Sequence, residues 1–220
     1  MPAEEVAAAD ERASHLAVPF DGLTPDWRLR GTMLAQGRLS DALNRREEVE
    51  LRDVEWAPAD GSGPFEPAPG IKVLDPYDLV LILAGPETLP HMTEAEKAAH
   101  KVHKVPFDVA LEVPPFRVVG TIMLHPGSDP SRLQDRSMPM FVPLLNAVGF
   151  LEGREIASET PVSAILVNRF YLRSVDQVEL ATAIRLARIS HHPPRSSAGA
   201  RGGEPTAADE VPFEEPGPGG

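Results

Sequence analysis

The chain has 220 residues, a net charge of −12 at neutral pH and no cysteine. This length allows one or two domains, and the lack of thiols excludes a disulfide framework, a cysteine nucleophile and a cysteine-ligated zinc site. Strong non-specific nucleic-acid binding is disfavoured as well, because it requires an excess of basic residues and the chain has 21 basic against 33 acidic ones.

The two ends of the chain differ from its body. Residues 1–20 are rich in alanine and glutamate, with few large apolar side chains, so we predict a disordered arm there. Residues 193–220 consist largely of proline, glycine, serine and acidic residues, which predicts a disordered acidic tail. Because acidic residues precede any apolar run and the longest run, 79–85, is far below the roughly 20 residues of a membrane helix, we expect a soluble, cytoplasmic protein.

Residues 21–86 form a predicted first β unit. Apolar and polar residues alternate over 27–33, which is typical of a half-buried strand. A second alternating strand covers 49–54, and the Pro- and Gly-rich stretch 57–70 predicts a long loop. A short strand at 71–73 and a continuous apolar strand at 79–83, buried on both faces, complete the unit.

Residues 87–105 are predicted to be a short helical connector. Thr93 and Glu96 fit a capping box at its start. His91, His100 and His103 lie in the same segment, and His100 and His103 are one helical turn apart, as metal ligands often are. No carboxylate accompanies them at a defined ligand spacing, so we interpret the segment as a solvated helix and expect no metal site.

Residues 106–190 form a predicted second β unit with a C-terminal helix, which Ser174 and Gln177 would cap. The unit opens with a cleanly alternating strand, 107–113. Four of its segments correspond in order to segments of the first unit: 116–122 to 27–33, 132–135 to 38–41, 142–146 to 49–53, and 164–167 to 79–82. This correspondence predicts that one small sheet design occurs twice.

An open sheet of this size exposes unpaired edges, which closure into a barrel or packing against another sheet removes. Gly31 and Gly120 stand where a small barrel bends or lets another backbone approach. Trp27 and Phe116, at corresponding positions, are candidate barrel plugs. We therefore predict a mainly β protein with two related small β-barrel or sandwich units, a short helical connector and disordered termini.

The string Arg-Leu-Ser-Asp-Ala-Leu-Asn at 38–44, followed by an alternating strand, resembles an uncharacterised bacterial β domain present as tandem copies, which has no known activity. The strand pattern also resembles Sm-like and SH3-like small barrels. In Sm-like proteins an Asp and an Asn in one loop, and a Gly or Asp before the last strand, form an RNA pocket. The resemblance implies Asp41, Asn44 and Asp78 as the matching contacts, while the second unit has Asp135 but no matching asparagine.

Arginine and aspartate recur in both units, as Arg38 with Asp41 and as Arg132 with Asp135. They are either ligand contacts or local elements of the fold, in which the aspartate caps a turn and the arginine pairs with it. Four arginines of the first unit form a candidate basic strip that nearby glutamates neutralise: Arg28, Arg30, Arg45 and Arg46, against Glu47, Glu48, Glu50 and Glu55.

The sequence contains no phosphate-binding loop, dinucleotide fingerprint, zinc-protease motif or nucleophile elbow. We expect no catalytic residue, no cofactor and no metal. The hypothesis is a non-catalytic module for protein interaction or assembly, whose partner is another protein or the chain itself. The alternatives are a nucleic-acid-binding small barrel, and a small-ligand or metal-dependent protein with a site between the two units.

Overall fold

A computed structural model of the chain describes residues 16–35, 38–88, 103–135 and 137–189. These residues form the following strands and α-helices: β1 (Leu16–Leu23), β2 (Trp27–Ala35), α1 (Leu39–Asn44), β3 (Val49–Pro58), β4 (Glu66–Pro67), β5 (Val73–Leu74), β6 (Leu81–Ala84), β7 (Val105–Val113), β8 (Phe116–Leu124), β9 (Phe141–Leu151), β10 (Arg154–Glu155), β11 (Ala164–Asn168), β12 (Ser174–Gln177) and α2 (Leu180–Ile189). Short 3₁₀ turns cover Pro76–Asp78, Pro86–Thr88, Pro130–Gln134 and Arg169–Tyr171.

The strands pair antiparallel in one continuous sheet. Its order is β12-β7-β8-β9-β11-β6-β1-β2-β3-β4, with β5 also paired to β3 and β10 to β9. The predicted mainly β class is therefore confirmed. Strands from the first and second halves meet where β6 pairs with β11. No helix in the described part of the chain is long and apolar enough to span a membrane.

Two large hydrophobic clusters lie in this sheet. The first is built mainly from β1, β2, α1 and β3, and includes Phe20, Met33 and Leu43. The second is built mainly from β7, β8 and β9, and includes Phe116 and Leu144. A smaller cluster lies between α2 and the face of β7, β8 and β9 that is turned away from the second core. Each half of the chain thus has a large core of its own.

β6 and β11 form a wall that both large cores share. Along β6, Ile82 belongs to the first cluster while Leu81 belongs to the second. Along β11, Leu166 belongs to the first and Ile165 to the second. Successive side chains of a strand point to opposite faces, so a continuous apolar strand can serve two cores at once. The prediction that the apolar strand at 79–83 is buried on both faces is therefore confirmed.

The predicted disordered arm, residues 1–20, is wrong for its last residues. β1 begins at Leu16 and pairs with β2 along its whole length, as far as Leu23 opposite Arg28. Val18 and Phe20 are buried in the first core, because they alternate with exposed residues on a paired strand. Residues 1–15 lie outside the described residues.

Each half contains a β-bulge at the glycine that the sequence singled out. The β2–β3 register shifts at Gly31, and the β8–β9 register shifts at Gly120. Opposite them, Asp53 and Asn146 adopt positive φ angles of 51° and 49°. A Cβ on Gly31 would come within 2.7 Å of the Arg52 carbonyl oxygen, so the close backbone approach requires glycine.

Trp27 and Phe116 do not share an environment. Phe116 is 1% exposed and lies in the second core, as the plug interpretation predicted. Trp27 is 42% exposed and stacks on Trp56 at a centroid distance of 4.6 Å, so its interpretation as a plug is wrong. Trp27 is the first residue of β2, opposite Pro58, and is not among the residues of the first core.

The predicted match between 164–167 and 79–82 is also wrong. β11 pairs with the first residues of β9, as β5 pairs with the first residues of β3. β12 pairs with β7, as β6 pairs with β1. In position, β11 therefore corresponds to β5, and β12 corresponds to β6. The sequence misled because β6 and β11 are both buried on two faces and so carry similar apolar runs.

Most of the predicted connector, 87–105, lies outside the described residues, which resume at His103. The described part of the connector holds the end of a 3₁₀ turn, as far as Thr88, and the first residue of β7, Val105. Residues 190–220, which include the predicted acidic tail, are likewise outside the described residues. The division of the chain into two units stays a prediction.

The predicted C-terminal helix is present as α2, but its predicted cap is wrong. Ser174 and Gln177 belong to β12. Glu179 precedes the helix instead, and its carboxylate accepts the backbone N–H groups of Ala181 at 3.1 Å and Thr182 at 2.8 Å. These bonds satisfy amides that have no partner within the helix.

We expect Glu179→Ala to lower the urea midpoint of unfolding at pH 7 and to have a smaller effect at pH 3. Hydrogen bonds from Thr182 hold the pKa of Glu179 below its ordinary value of 4.5. A depressed pKa stabilises the fold above the unfolded-state value, and this stabilisation is lost as the pH falls through the folded-state value. Glu179→Gln, which keeps one acceptor without a charge, is the control. An equal loss at both pH values would contradict the carboxylate cap.

Candidate interaction surface

The first predicted contact residues lie on α1 and beside it. Arg38 immediately precedes the helix and is exposed, and Asp41 is exposed in its first turn. Asn44 is partly buried and reaches into the second half of the chain. Its Oδ1 accepts the backbone N–H of Phe141 at 2.7 Å, and its Nδ2 donates to the Phe141 carbonyl at 3.2 Å. The Asn44 amide thus pairs with the first residue of β9 as a neighbouring strand would.

Asp78 ends a 3₁₀ turn and is exposed. Asp41, Asn44 and Asp78 are all described, and none of them is hydrogen-bonded to another. Arg132 and Asp135 are exposed and form an ion pair of 3.3 Å, which is the local pairing that the sequence allowed as one interpretation. Their role as ligand contacts stays a prediction.

Two arginines of the candidate basic strip, Arg28 and Arg30, are paired with acidic side chains. Arg28 is buried, and its Nε and Nη2 each lie 2.7 Å from a carboxylate oxygen of Asp21. Its Nη1 donates to the Ala157 carbonyl at 2.6 Å. Arg30 pairs with Asp21 at 3.4 Å and with Glu159 at 2.8 Å. Asp21 and Glu159, which the sequence did not indicate, neutralise these arginines, and the bonds to Ala157 and Glu159 connect the first half to the second.

A small cavity adjoins this ion-pair cluster, at the junction of the two halves. It measures about 190 Å³ and is lined in part by Phe20, Leu83 and Thr88. Ligand pockets usually enclose roughly 300–1,000 Å³. The Arg30 guanidinium holds the pKa of Glu159 below its ordinary range. Three of the charged groups that line this cavity, Asp21, Arg30 and Glu159, are therefore already paired with one another.

The predicted histidine cluster is only partly within the described residues. His103 is exposed, whereas His91 and His100 lie outside the described residues. Among the residues that are described, no three histidine, aspartate or glutamate side chains stand close enough together to hold a metal ion.

Two similar 3₁₀ turns lie side by side, and each presents an exposed aromatic ring. Asp75 accepts the backbone N–H of Tyr77 at 2.9 Å, and Asn168 accepts that of Phe170 at 3.0 Å. Each short polar side chain thereby fixes a 3₁₀ turn that presents the following aromatic ring. The Tyr77 and Phe170 rings stack at 5.5 Å although 42% and 48% of these residues stay exposed.

Arginines flank these two aromatic rings. The Arg169 guanidinium lies 4.5 Å from the Phe170 ring centroid, and that of Arg46 lies 5.7 Å from it. We call the three exposed residues Tyr77, Phe170 and Arg46 the aromatic patch, and Arg169 is buried beside it. The Tyr171 hydroxyl donates to the Tyr77 carbonyl at 3.0 Å, and burial together with the nearby Asp78 raises the pKa of that hydroxyl. The neutral hydroxyl is thus retained as a donor that ties the two turns together.

The aromatic patch adjoins an open sheet edge. β5 directly precedes the Tyr77 turn, and its Val73 is 50% exposed. Among the described residues, no strand pairs with the outer side of β5. Between β4 and β5 the sheet leaves an open groove of about 630 Å³ along the β3 bulge, lined by apolar residues such as Ile71 and by charged residues such as Lys72. Exposed apolar side chains beside free backbone groups are suited to pairing with another chain.

The opposite edge of the sheet, β12, is more polar. Its four residues are Ser, Val, Asp and Gln, whereas the corresponding strand β6 is wholly aliphatic. Gln134 lies against this edge and donates its side-chain amide to the Arg173 carbonyl at 2.9 Å. The two edges therefore differ in chemistry: one is apolar and open, and the other is polar and covered by a side chain.

Neither Tyr77 nor Phe170 was among the contact residues predicted from the sequence. The available signal was an Asp or Asn placed two residues before an aromatic residue, once in each half, after a short apolar strand. A comparison with protein-family models, with curated proteins and with solved structures finds no match to this chain.

Proposed function

We propose that the chain is a non-catalytic interaction and assembly module, built from a tandem repeat of one small β design, that binds protein through the aromatic patch and the adjoining β5 edge. The exposed, stacked Tyr77 and Phe170 are the observation that supports this proposal most directly. We further propose a cytoplasmic setting, since a chain without cysteine suits a reducing compartment, and a bacterial one, since residues 38–44 resemble an uncharacterised bacterial β domain.

Matched strand pairing in the two halves supports the tandem repeat. Leu23 of β1 pairs with Arg28 of β2, and Glu112 of β7 pairs with Arg117 of β8. Both hairpins are followed by a helical turn and then by a strand that bulges opposite a glycine. Independent designs would have no reason to share the position of both the hairpin and the bulge.

The chemistry of the aromatic patch supports protein recognition. Aromatic residues and arginine are enriched where interfaces gain most of their binding free energy, while lysine and glutamate are depleted there. Because Tyr77 and Phe170 are held by capped turns and by each other, little side-chain freedom is lost when a partner covers them. Arg46 adds a charged group at the rim, which favours an acidic or polar edge on the partner.

We expect Phe170→Ala to weaken partner binding by about 2 kcal/mol, or roughly thirtyfold, because it removes half of the exposed stack. The measurement is affinity capture from an extract of the source cells, quantified by mass spectrometry, together with the sedimentation of the purified chain. Trp27→Ala is the matched control, since Trp27 is also an exposed, stacked aromatic residue. The stack that it forms with Trp56 lies towards the far end of β3 from β5, about 20 Å away.

Loss of the captured protein, or of self-association, with Phe170→Ala but not with Trp27→Ala is the expected pattern. A purified chain that stays strictly monomeric and captures nothing would contradict the proposal. If both variants bound the partner as tightly as the unaltered chain, the contact would lie outside the aromatic patch.

A further inference from the structure

We infer that the partner of the β5 edge is a second copy of this chain, which adds its β12 antiparallel to β5 and so repeats the β6–β11 pairing between molecules. The inference rests on the proposed function and specifies it. It identifies the two edges, their register and the residues that face each other across the contact.

The pairing inside the chain is the template. Ile82 of β6 faces Leu166 of β11, and Leu83 faces Ile165, in an antiparallel pair buried on both faces. β6 belongs to the first half of the chain and β11 to the second. The junction is therefore head to tail, because β6 and β11 are not corresponding strands of the two halves.

The outer edges of the molecule are the unused counterparts of these strands. Val73 of β5 pairs with Glu50 of β3, as Leu166 of β11 pairs with Pro143 of β9. Ser174 of β12 pairs with β7, and the N–H of the preceding Arg173 donates to β7. In the same way, Leu81 of β6 pairs with β1, and the N–H of the preceding Val80 donates to β1. Among the described residues, no strand covers the outer side of either β5 or β12.

The side chains on these edges are complementary in the same register. Transferring the β6–β11 pairing to two molecules places Val73 opposite Val175 and Lys72 opposite Asp176. All four residues are at least partly exposed. Aliphatic pairs and opposite charges that face each other across antiparallel strands both stabilise pairing. At the position of this ion pair, the internal junction has the apolar pair Ile165 and Leu83. The intermolecular contact should therefore be weaker than the internal junction and sensitive to salt.

Gln134 competes with the incoming copy. In the internal junction the Val80 carbonyl accepts the backbone N–H of Asn168. The corresponding Arg173 carbonyl accepts the Gln134 side chain instead. A second copy would bring the backbone N–H of its Asp75 to this carbonyl and displace Gln134. We therefore expect Gln134→Ala to strengthen association several-fold, because the incoming copy no longer has to break the hydrogen bond between Gln134 and the Arg173 carbonyl.

Each added copy presents the same free β12 and β5 edges as the first. A head-to-tail contact of this kind continues until the assembly closes into a ring, and otherwise forms a filament. A contact between two β5 edges about a twofold axis would instead stop at a dimer, so the size of the assembly separates the two arrangements.

The test is a charge exchange between the two edges, followed by sedimentation velocity over a range of concentrations of the purified full chain. We expect Lys72→Glu and Asp176→Lys each to lower the association constant about tenfold, because each places like charges opposite one another. We expect the double variant to associate like the unaltered chain, and an equimolar mixture of the two single variants to regain association by alternating in the assembly. Asp26→Lys, a charge reversal at an exposed position in the turn between β1 and β2, is the control and should leave association unchanged.

A failure of charge exchange to restore association would overturn the inference, as would a dimer that does not grow with concentration. A purified chain that is monomeric at all concentrations would also overturn it. If such a chain still captured a protein in a Phe170-dependent way, the proposed function would stand and the occupant of β5 would be another protein. Loss of both behaviours in the unaltered chain would remove the proposed function as well.

Discussion

Truncating Leu81 to alanine should lower the free energy of unfolding by about 2–5 kcal/mol and should unfold both halves of the chain together. Leu81 is fully buried on β6, in the strand of the first half that borders the second core. Its removal leaves a cavity in that second core. Because β6 and β11 are lined on both faces by core residues, damage on one face weakens the strand on which the other core is built.

The two tryptophans make this prediction measurable. The chain contains two, Trp27 and Trp56, and both lie in the first half. Their fluorescence should report a lower denaturant midpoint in Leu81→Ala, and circular dichroism of the whole sheet should report the same midpoint. Ile82→Ala, which faces the first core, should behave alike, while Leu145→Ala, 40% exposed on β9, should change the stability by less than about 0.5 kcal/mol.

Separate midpoints for the tryptophan signal and for circular dichroism would contradict the shared wall. In that case the two halves would unfold independently, and Leu81→Ala would affect the second half alone. The result would also separate a single cooperative sheet from two domains that merely touch.

The second large effect is expected from Arg28→Met, with a loss of about 3 kcal/mol in unfolding free energy. The Arg28 side chain is 10% exposed and donates to both oxygens of Asp21 and to the Ala157 carbonyl. Removing the guanidinium leaves the partly buried carboxylate with one remaining partner, Arg30, and leaves a carbonyl of the second half without its donor. Breaking a buried pair on one side is costly because the remaining charge stays desolvated.

Arg30→Met is the matched control for this prediction. Arg30 lies two residues along β2 and pairs with Asp21 and with Glu159, whose side chain is 80% exposed. Removing Arg30 leaves Asp21 with both hydrogen bonds from Arg28, and an ion pair with the exposed Glu159 contributes little, so the loss should stay below about 1 kcal/mol. Urea unfolding of the two variants, followed by circular dichroism, gives the comparison. A neutral Arg28→Met would show that the cluster is not needed to hold the halves together.

Alternation of apolar and polar residues predicted the hairpin strands correctly. β2, β3 and β7 stand where period-two patterns occur, because one face of each meets a core and the other meets water. β1 was missed because Pro19 and the Ala- and Glu-rich stretch before it weaken the pattern. The two glycines were identified as sites of close backbone approach for a reason that holds in the structure: neighbouring backbone leaves no room for a Cβ at Gly31.

The candidate surface was harder to predict. Asn44 was singled out for its amide, but that amide bonds to the backbone of a residue almost a hundred positions away. Tyr77 and Phe170 stack only because β6 and β11 bring their two turns together. Contacts of this kind depend on strand order, and strand order is not encoded in the periodicity of any single strand.

By itself, the sequence determined the mainly β class, the close backbone approach at the two bulge glycines and the alternating strands β2, β3 and β7, because these follow from local periodicity and backbone sterics. Only the tertiary structure decided that β6 and β11 join both halves into one sheet, that β5 corresponds to β11, and that one edge is left open beside the aromatic patch. The physical reason is that strand pairing joins residues far apart in the chain. Two apolar strands look alike in sequence until their neighbours are known.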